Sequence, residues 1–282
     1  MGISAKAVKE LRERTGTGMM DCKKALVEVD GDIEEAIKYL RAKGLSAASK
    51  RAHRTASDGM VTIVGDTQKK VILELNCETE PVSKNPDFRG FADALASQAL
   101  ETDTSDLDTL KAQAFAGDPE HSVEQSVSLK VAVIGENIVL SRFNLVAAGE
   151  GNTLGSYIHG GGKIGVVVEG TADVSNEALH DVALHVAASA PRFTLRDEVT
   201  EELLENERDI ALRMAVEQGK PEEIAKKMVA GKMEKFFETE VLSEQPFAKD
   251  PSISVGEHIK KTCGDNAKVV SFVRFKLGES EG

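Results

Sequence analysis

Residues 11–26 read LRERTGTGMMDCKKAL. Arg12 and Arg14 close a basic helix end, Thr15-Gly16-Thr17-Gly18 forms a corner, and Met19 and Met20 open a second helix. Gly16 suits the position just past a helix end, where φ is often positive. Asp21, in the first turn that follows, meets the positive end of that helix dipole. Large flexible apolar side chains at a helix mouth either pack inward or face a partner, and spacing alone leaves both open for Met19 and Met20. Outward from this corner, residues 4–44 read as three short helices. Ser4 caps the first, with Val8 and Leu11 inside. Cys22, Ala25, Leu26 and Val29 step at helical spacing along the second, which Gly31 breaks. Asp32 with Glu35 three residues on is the signature of a capping box for the third, whose inner face is Ile33, Ala36, Ile37 and Leu40. Gly44 is expected to end it. A bundle this small is marginal alone, as befits a docking module on a larger body.

The segment 45–58 is small, polar and basic (LSAASKRAHRTAS over 45–57) without a sustained period, and reads as a tether. It lacks the interleaved aromatics of a single-strand nucleic-acid binder. Beyond Gly59 the period becomes two: Met60–Val64 and Lys70–Asn76 flank Gly65-Asp66, a hairpin signal. Asn85-Pro86-Asp87 opens a helix with Phe88, Phe91 and Leu95 on one face. The stretch 103–120 is acidic and irregular; Ser122 with Gln125 opens another helix, stopped by Gly135. Ile138–Ala147 and Lys163–Glu169 are strand-like with Gly149–Gly162 looping between, and a helix over Glu177–Ala188 precedes Pro191. The expectation is an α+β core in two parts, 59–136 and 137–196 with 239–282, antiparallel sheets covered by helices. The halves share a hairpin-plus-helix design, without identity between them. Residues 197–238 differ: Val199, Leu203, Ile210 and Met214 step along a charged helix, Gly219-Lys220-Pro221 reverses the chain, and Ile224 and Met228 continue the apolar edge. This predicts an inserted antiparallel helical hairpin, after which Val269–Leu277 pairs back into the second half.

The 282 residues allow one large or a few small domains, and 41% hydrophobic with 29% charged residues is ordinary globular composition. No apolar run approaches the roughly 20 residues that cross a bilayer, and the first residues lack a secretory h-region, which predicts a cytosolic chain. A net charge of -12 argues against broad phosphate-backbone binding. The charge is uneven: residues 1–54 carry 12 Lys and Arg against 8 Asp and Glu, so the body holds the acidic surplus. A basic head suits an acidic protein surface, or is a solvated face.

Chemistry is absent from the motifs. Cys22, Cys77 and Cys263 form no C-x-x-C pair. His159-Gly160-Gly161-Gly162-Lys163 lacks the spacing and following helix of a phosphate loop. His180 and His185 stand roughly 140° apart around a helix, awkward for one metal. No catalytic residue, cofactor, metal ligand, direct nucleotide site or membrane contact is expected.

Several motifs in order resemble the bacterial elongation factor Ts family: LRERTGTGMMDCKKAL at 11–26, ELNCETE at 74–80, IGEN at 134–137, SYIHG at 156–160, HVAASAP at 185–191, GKPEEIAKKMV at 219–229 and FVRFKLG at 272–278. The resemblance implies a UBA-like three-helix head, a two-part core and an inserted coiled-coil arm. It implies a guanine nucleotide exchange factor that binds elongation factor Tu and promotes GDP release, possible dimerisation of the complex included. Arg12, Met19, Met20 and Lys23 match the positions that dock on the partner's GTPase domain. Thr79, Glu80, Pro81 and Val82 match the loop that approaches the nucleotide site, and Ile138 and His159 match further contacts. Two departures stand out. The family's Asp-Phe pair after Thr is Glu80-Pro81 here, so an aromatic wedge beside the magnesium site is missing. Ala248-Lys249 after Gln245-Pro246-Phe247 is less apolar than the family's pair. The competing reading is a protein-binding scaffold with a UBA-like head and a coiled-coil oligomerisation arm.

Overall fold

The structure is a computed structural model, which describes residues 3–217 and 221–279. Three helices open it: α1 (Ala5–Thr15), α2 (Met19–Glu28) and α3 (Ile33–Arg51). Val8, Leu11, Cys22, Ala25, Leu26, Ala36, Ile37 and Leu40 form their shared core. The Ser4 side chain accepts from the Ala7 N–H and Asp32 from that of Glu35, so both N-termini are capped as the sequence predicts.

The third helix does not end at Gly44. It continues to Arg51, so most of the expected tether is helical, leaving 52–57 outside regular structure. The reason is tertiary. A Cβ at Gly44 would sit 2.9 Å from the Ala132 Cβ, and Ala48 is buried in the first core. Gly44 and Ala48 are small because α3 lies close against α7 (Val123–Ile134).

Strands β1 (Asp58–Gly65) and β2 (Lys69–Cys77) form the expected hairpin, in register from Asp58↔Cys77 to Gly65↔Lys70. Between β2 and α7 lie α4 (Glu80–Ser83), α5 (Pro86–Glu101), α6 (Leu107–Ala112), β3 (Ala114–Phe115) and β4 (Asp118–Ser122). The strand β5 (Val139–Ala147), expected to open the second half, instead pairs with β2 and closes the first sheet, in order β1-β2-β5. Alternation shows that a segment is a strand and is silent about which edge it joins. The buried run from Val71 to Cys77 does mark β2 as central.

The second sheet has order β10-β7-β6. Its strand β6 (Asn152–His159) occupies most of the expected 149–162 loop and pairs with β7 (Ile164–Thr171). After β7 come α8 (Asn176–Ser189), α9 (Glu201–Glu217), α10 (Glu222–Glu240), β8 (Pro246–Phe247), β9 (Asp250–Ser254), α11 (Val255–Cys263) and β10 (Val269–Lys276), which pairs back on β7. Helices cover one face of each sheet only. Val71, Leu73 and Leu75 face α5, whereas Val61 and Ile72 meet Leu154, Val167 and Phe275 of the other sheet. Burial on both faces explains the unbroken apolar runs Val71–Leu73 in β2 and Val166–Val168 in β7. A Cβ at Gly165 would stand 2.5 Å from Val61 Cγ1, so glycine lets the sheets close.

The halves do share identity. Gln113-Ala114-Phe115-Ala116-Gly117-Asp118-Pro119 and Gln245-Pro246-Phe247-Ala248-Lys249-Asp250-Pro251 build the hairpins β3-β4 and β8-β9. Each leads through a capping-box serine, Ser122 or Ser254, into α7 or α11. Gln98 on α5 reaches Gln113 across 15 residues and His185 on α8 reaches Gln245 across 60. The surplus in the second half is chiefly α9 and α10.

Those two helices contact each other. Leu203 and Leu204 cluster with Phe236 and Phe237, and further out Lys232 Nζ lies 3.0 Å from Met214 Sδ. The expected apolar edge holds at Val199 and Leu203 and is displaced further out: Ile210, Met214 and Ile224 are exposed, and Ala211, Ala215, Ala225 and Met233 are buried. Alanines bring the two backbones near, which turns the larger neighbours outward. Gly219 and Lys220 of the expected reversal lie outside the described residues. At the base, Arg192 and Phe193 N–H groups donate to the Glu240 carbonyl, and Arg196 holds Glu234 and Glu244. Among the described residues no helix is long and apolar enough to cross a membrane.

Candidate functional site

The head presents one prepared face. Gly16 adopts φ 65° and closes α1, and the Thr15 hydroxyl donates to the Leu11 carbonyl at 2.8 Å. The Cys22 thiol donates to the Thr17 carbonyl at 3.4 Å, fixing the corner, and burial pushes that thiol's pKa up. With Cys22, Ala25 and Leu26 turned inward, the opposite side of α2 carries Met19, Met20, Lys23 and Val27. Met19 is 58% exposed and Met20 64%, so neither packs into the head's core. Arg12 is exposed in the last turn of α1.

On the core, the end of β2 turns at Thr79 into α4. Thr79 stands at the N-cap of α4, yet its side chain makes no cap bond. The hydroxyl donates instead to Glu136 Oε1 at 2.5 Å, and the Glu78 and Thr79 N–H groups donate to Glu136 Oε2 at 3.1 and 3.0 Å. In return Glu78 Oε1 accepts from the Asn137 N–H at 2.7 Å. The ELNCETE and IGEN segments are therefore two sides of one clasp, a contact the sequence reading did not anticipate. Glu80 and Pro81 are exposed, and Pro81 suits a first helical turn that needs no N–H there. Val82 leans on the first core. Burial, foremost, and nearby Glu136 push the Cys77 thiol up to about 12.

His159 ends β6, exposed, with Nδ1 3.1 Å from the Tyr157 hydroxyl. The following glycine turn is held by Val61 N–H donating to the Gly162 carbonyl at 2.7 Å and by Arg89 reaching the Gly161 carbonyl at 3.3 Å. Lys163 pairs with Asp58 at 3.0 Å, so the lysine of this glycine run is engaged within the fold. Burial alone would raise the Asp58 pKa, but the Gly59 N–H, Lys163 and the Ser83 hydroxyl together hold it below the ordinary value. Asp58 thus joins the turn that follows His159 to the turn that carries Pro81.

Ile138 is placed differently from the expectation. At 4% exposure it packs into the first core, and its neighbour Val139 faces outward. The expected contact positions that are exposed therefore fall into two sets, on different elements: Arg12, Met19, Met20 and Lys23 on the head, and Thr79, Glu80, Pro81 and His159 on the core. Among the described residues no group of three or more His, Cys, Asp and Glu is placed to hold a metal ion. Sequence reasoning missed Glu136 and Asp58, since a carboxylate that accepts backbone N–H groups has no spacing signature; Val27, one turn beyond Lys23, was legible by its helical step.

A family model described as "Elongation factor TS" matches residues 78–279. Elongation factor Ts of Trichlorobacter lovleyi is 43% identical over 292 residues, covering 99% of this chain and 94% of the relative. Elongation factor Ts of Clostridium botulinum (strain Eklund 17B / Type B) is 44% identical over 286 residues, covering 98% and 93%.

Proposed function

The chain belongs to the elongation factor Ts family and is a non-catalytic nucleotide exchange factor for elongation factor Tu in translation elongation, and on that premise we propose how its surfaces divide the work. The head, a UBA-like module, docks on the GTPase domain of Tu through Arg12, Met19, Met20 and Lys23. The core brings the Thr79–Pro81 turn and His159 towards the nucleotide site. Ile138 supports this face from within. The observation that carries the docking reading is the exposure of Met19 and Met20, which the fold leaves uncovered. Contiguous apolar surface rimmed by charge is the ordinary mark of a protein contact.

The physical mechanism is linkage. A protein that binds empty Tu more tightly than GDP-bound Tu weakens GDP by the same free energy. No covalent chemistry of its own is needed. The aromatic wedge of the family is replaced by Glu80-Pro81, so the turn acts through its backbone and the shorter Pro81 ring. The two arm helices form an antiparallel coiled coil. The apolar run Ile210-Ala211-Leu212, with Met214 and Val216, leaves large side chains exposed on two sides of its seam. That surplus suits pairing of arms when the complex dimerises. The site of action is the cytoplasm, where the partner works.

The test is catalytic release of labelled GDP from Tu. Sub-stoichiometric chain accelerates release, and Met20→Ala weakens complex formation without lowering the melting temperature. A severe loss of thermal stability would place Met20 in the head's core and overturn the assigned face.

A further inference from the structure

We propose that Glu136 is a positioning residue for nucleotide exchange, and that its grip on the Thr79–Ser83 turn ties the core contact to the helix against which the head is packed. The inference rests on reading that turn as the part that approaches the nucleotide site.

The turn cannot hold its own geometry. Its helix has four residues, Glu80–Ser83, and its tip is exposed. An isolated turn of that length is far below the length at which a helix supports itself. Its N-cap hydroxyl has been diverted from capping to Glu136. The Glu136 carboxylate receives three hydrogen bonds from Glu78 and Thr79, and bonds to an ionised acceptor are the strong kind.

The anchor itself is fixed. Glu136 follows Gly135, which closes α7 at φ 88°, a left-handed conformation that glycine enters without steric cost. A Cβ there would meet open space, so the glycine is needed for its backbone direction alone. The same helix receives α3 of the head at Ala132. A second strap runs alongside: Asn137 Nδ2 donates to the Arg54 carbonyl at 2.7 Å, on the chain leaving the head. The Thr79 turn, the end of α7 and the exit from the head are thus one connected set of hydrogen bonds. Docking the head therefore sets where the turn arrives.

The experiment reads two dissociation constants of the full chain, for GDP-bound and for empty Tu, because linkage makes their ratio the factor by which GDP is weakened. Glu136→Gln keeps the size of the side chain but turns an amide towards N–H donors. It is expected to lower the ratio about tenfold, in the range that displacing a positioning group produces. Thr79→Val loses only the hydroxyl bond and is expected to lower it about threefold, with Thr79→Ser restoring it. Arg12→Ala is expected to raise both constants together and leave the ratio within about twofold, since equal effects on two states shift nothing between them. A ratio unchanged in both Glu136→Gln and Thr79→Val overturns the inference. Failure of the docking reading looks different: Arg12→Ala would then leave both constants at their parent values.

Discussion

Nε2 of His185 lies 2.8 Å from Oε1 of Gln245, the place that Gln98 takes towards Gln113 in the first half. The parallel extends to the backbone. Gln98 Oε1 accepts from the Ala116 N–H at 2.9 Å, and His185 Nδ1 accepts from the Ala248 N–H at 3.1 Å. Because Nδ1 accepts, the ring is assigned as neutral with its proton on Nε2. Gln245 Nε2 then donates to the Thr239 carbonyl near the end of α10, so one imidazole ties α8, the β8 hairpin and the base of the arm.

This arrangement makes stability acid-sensitive. Burial holds the His185 pKa below its ordinary value, partly offset by the Gln245 bond. The unfolded chain therefore takes up the proton first. The contribution is complete above about pH 6.5 and is lost as pH falls, at up to about 1.4 kcal/mol per pH unit for one proton, until the folded ring titrates. Protonation of Nδ1 removes the acceptor of the Ala248 N–H. His258, stacked on Phe247 at 4.0 Å and also lowered chiefly by burial, adds to the same limb. His185→Gln copies the solution of the first half and is expected to shrink the drop in melting temperature between pH 7 and pH 5. An undiminished drop would remove His185 from the account.

Gly44 tests the junction between head and core. With Ala132 Cβ only 2.9 Å from where a Cβ would stand, Gly44→Leu must push α3 away from α7. Overpacking of this kind costs about 1–3 kcal/mol. The expected result is faster proteolytic cutting within residues 52–57 and release of the head, the core remaining folded. Cutting at the parent rate would mean that the two helices yield freely.

Pro81 offers a gain-of-function test. Its side chain is exposed, so Pro81→Phe is expected to leave the melting temperature unchanged. Full burial of a Phe side chain against a partner is worth about 1.5–3 kcal/mol, and the part realised in the transition state should speed GDP release several-fold. An unchanged release rate would show that Val82 or the backbone already performs the step.

The corner at 15–18 was readable because helix ends have local chemistry: a left-handed glycine, a serine or aspartate cap, a basic last turn. Gly44 misled for the same reason. Glycine inside a helix costs about 1 kcal/mol relative to alanine, so a local reading ends the helix there, whereas close packing on Ala132 outweighs that cost. The arm misled by a step of one residue, since Ile210 and Met214 have the spacing of a seam that Ala211 and Ala215 occupy. Small side chains carry little hydrophobic signal even when they decide how near two helices come.

The sequence by itself determined the kinds and order of most elements, the caps and the family, because each is written in neighbouring residues; the Gln-x-Phe-Ala-x-Asp-Pro repeat escaped that reading because its two copies stand far apart. Tertiary structure alone decided that β5 completes the first sheet, that Ile138 is buried while Met20 is not, and that Glu136 holds Thr79. The first and last of these depend on which surfaces meet across 57 residues or more of chain. Periodicity reports that a face is apolar, and only packing reports what covers it.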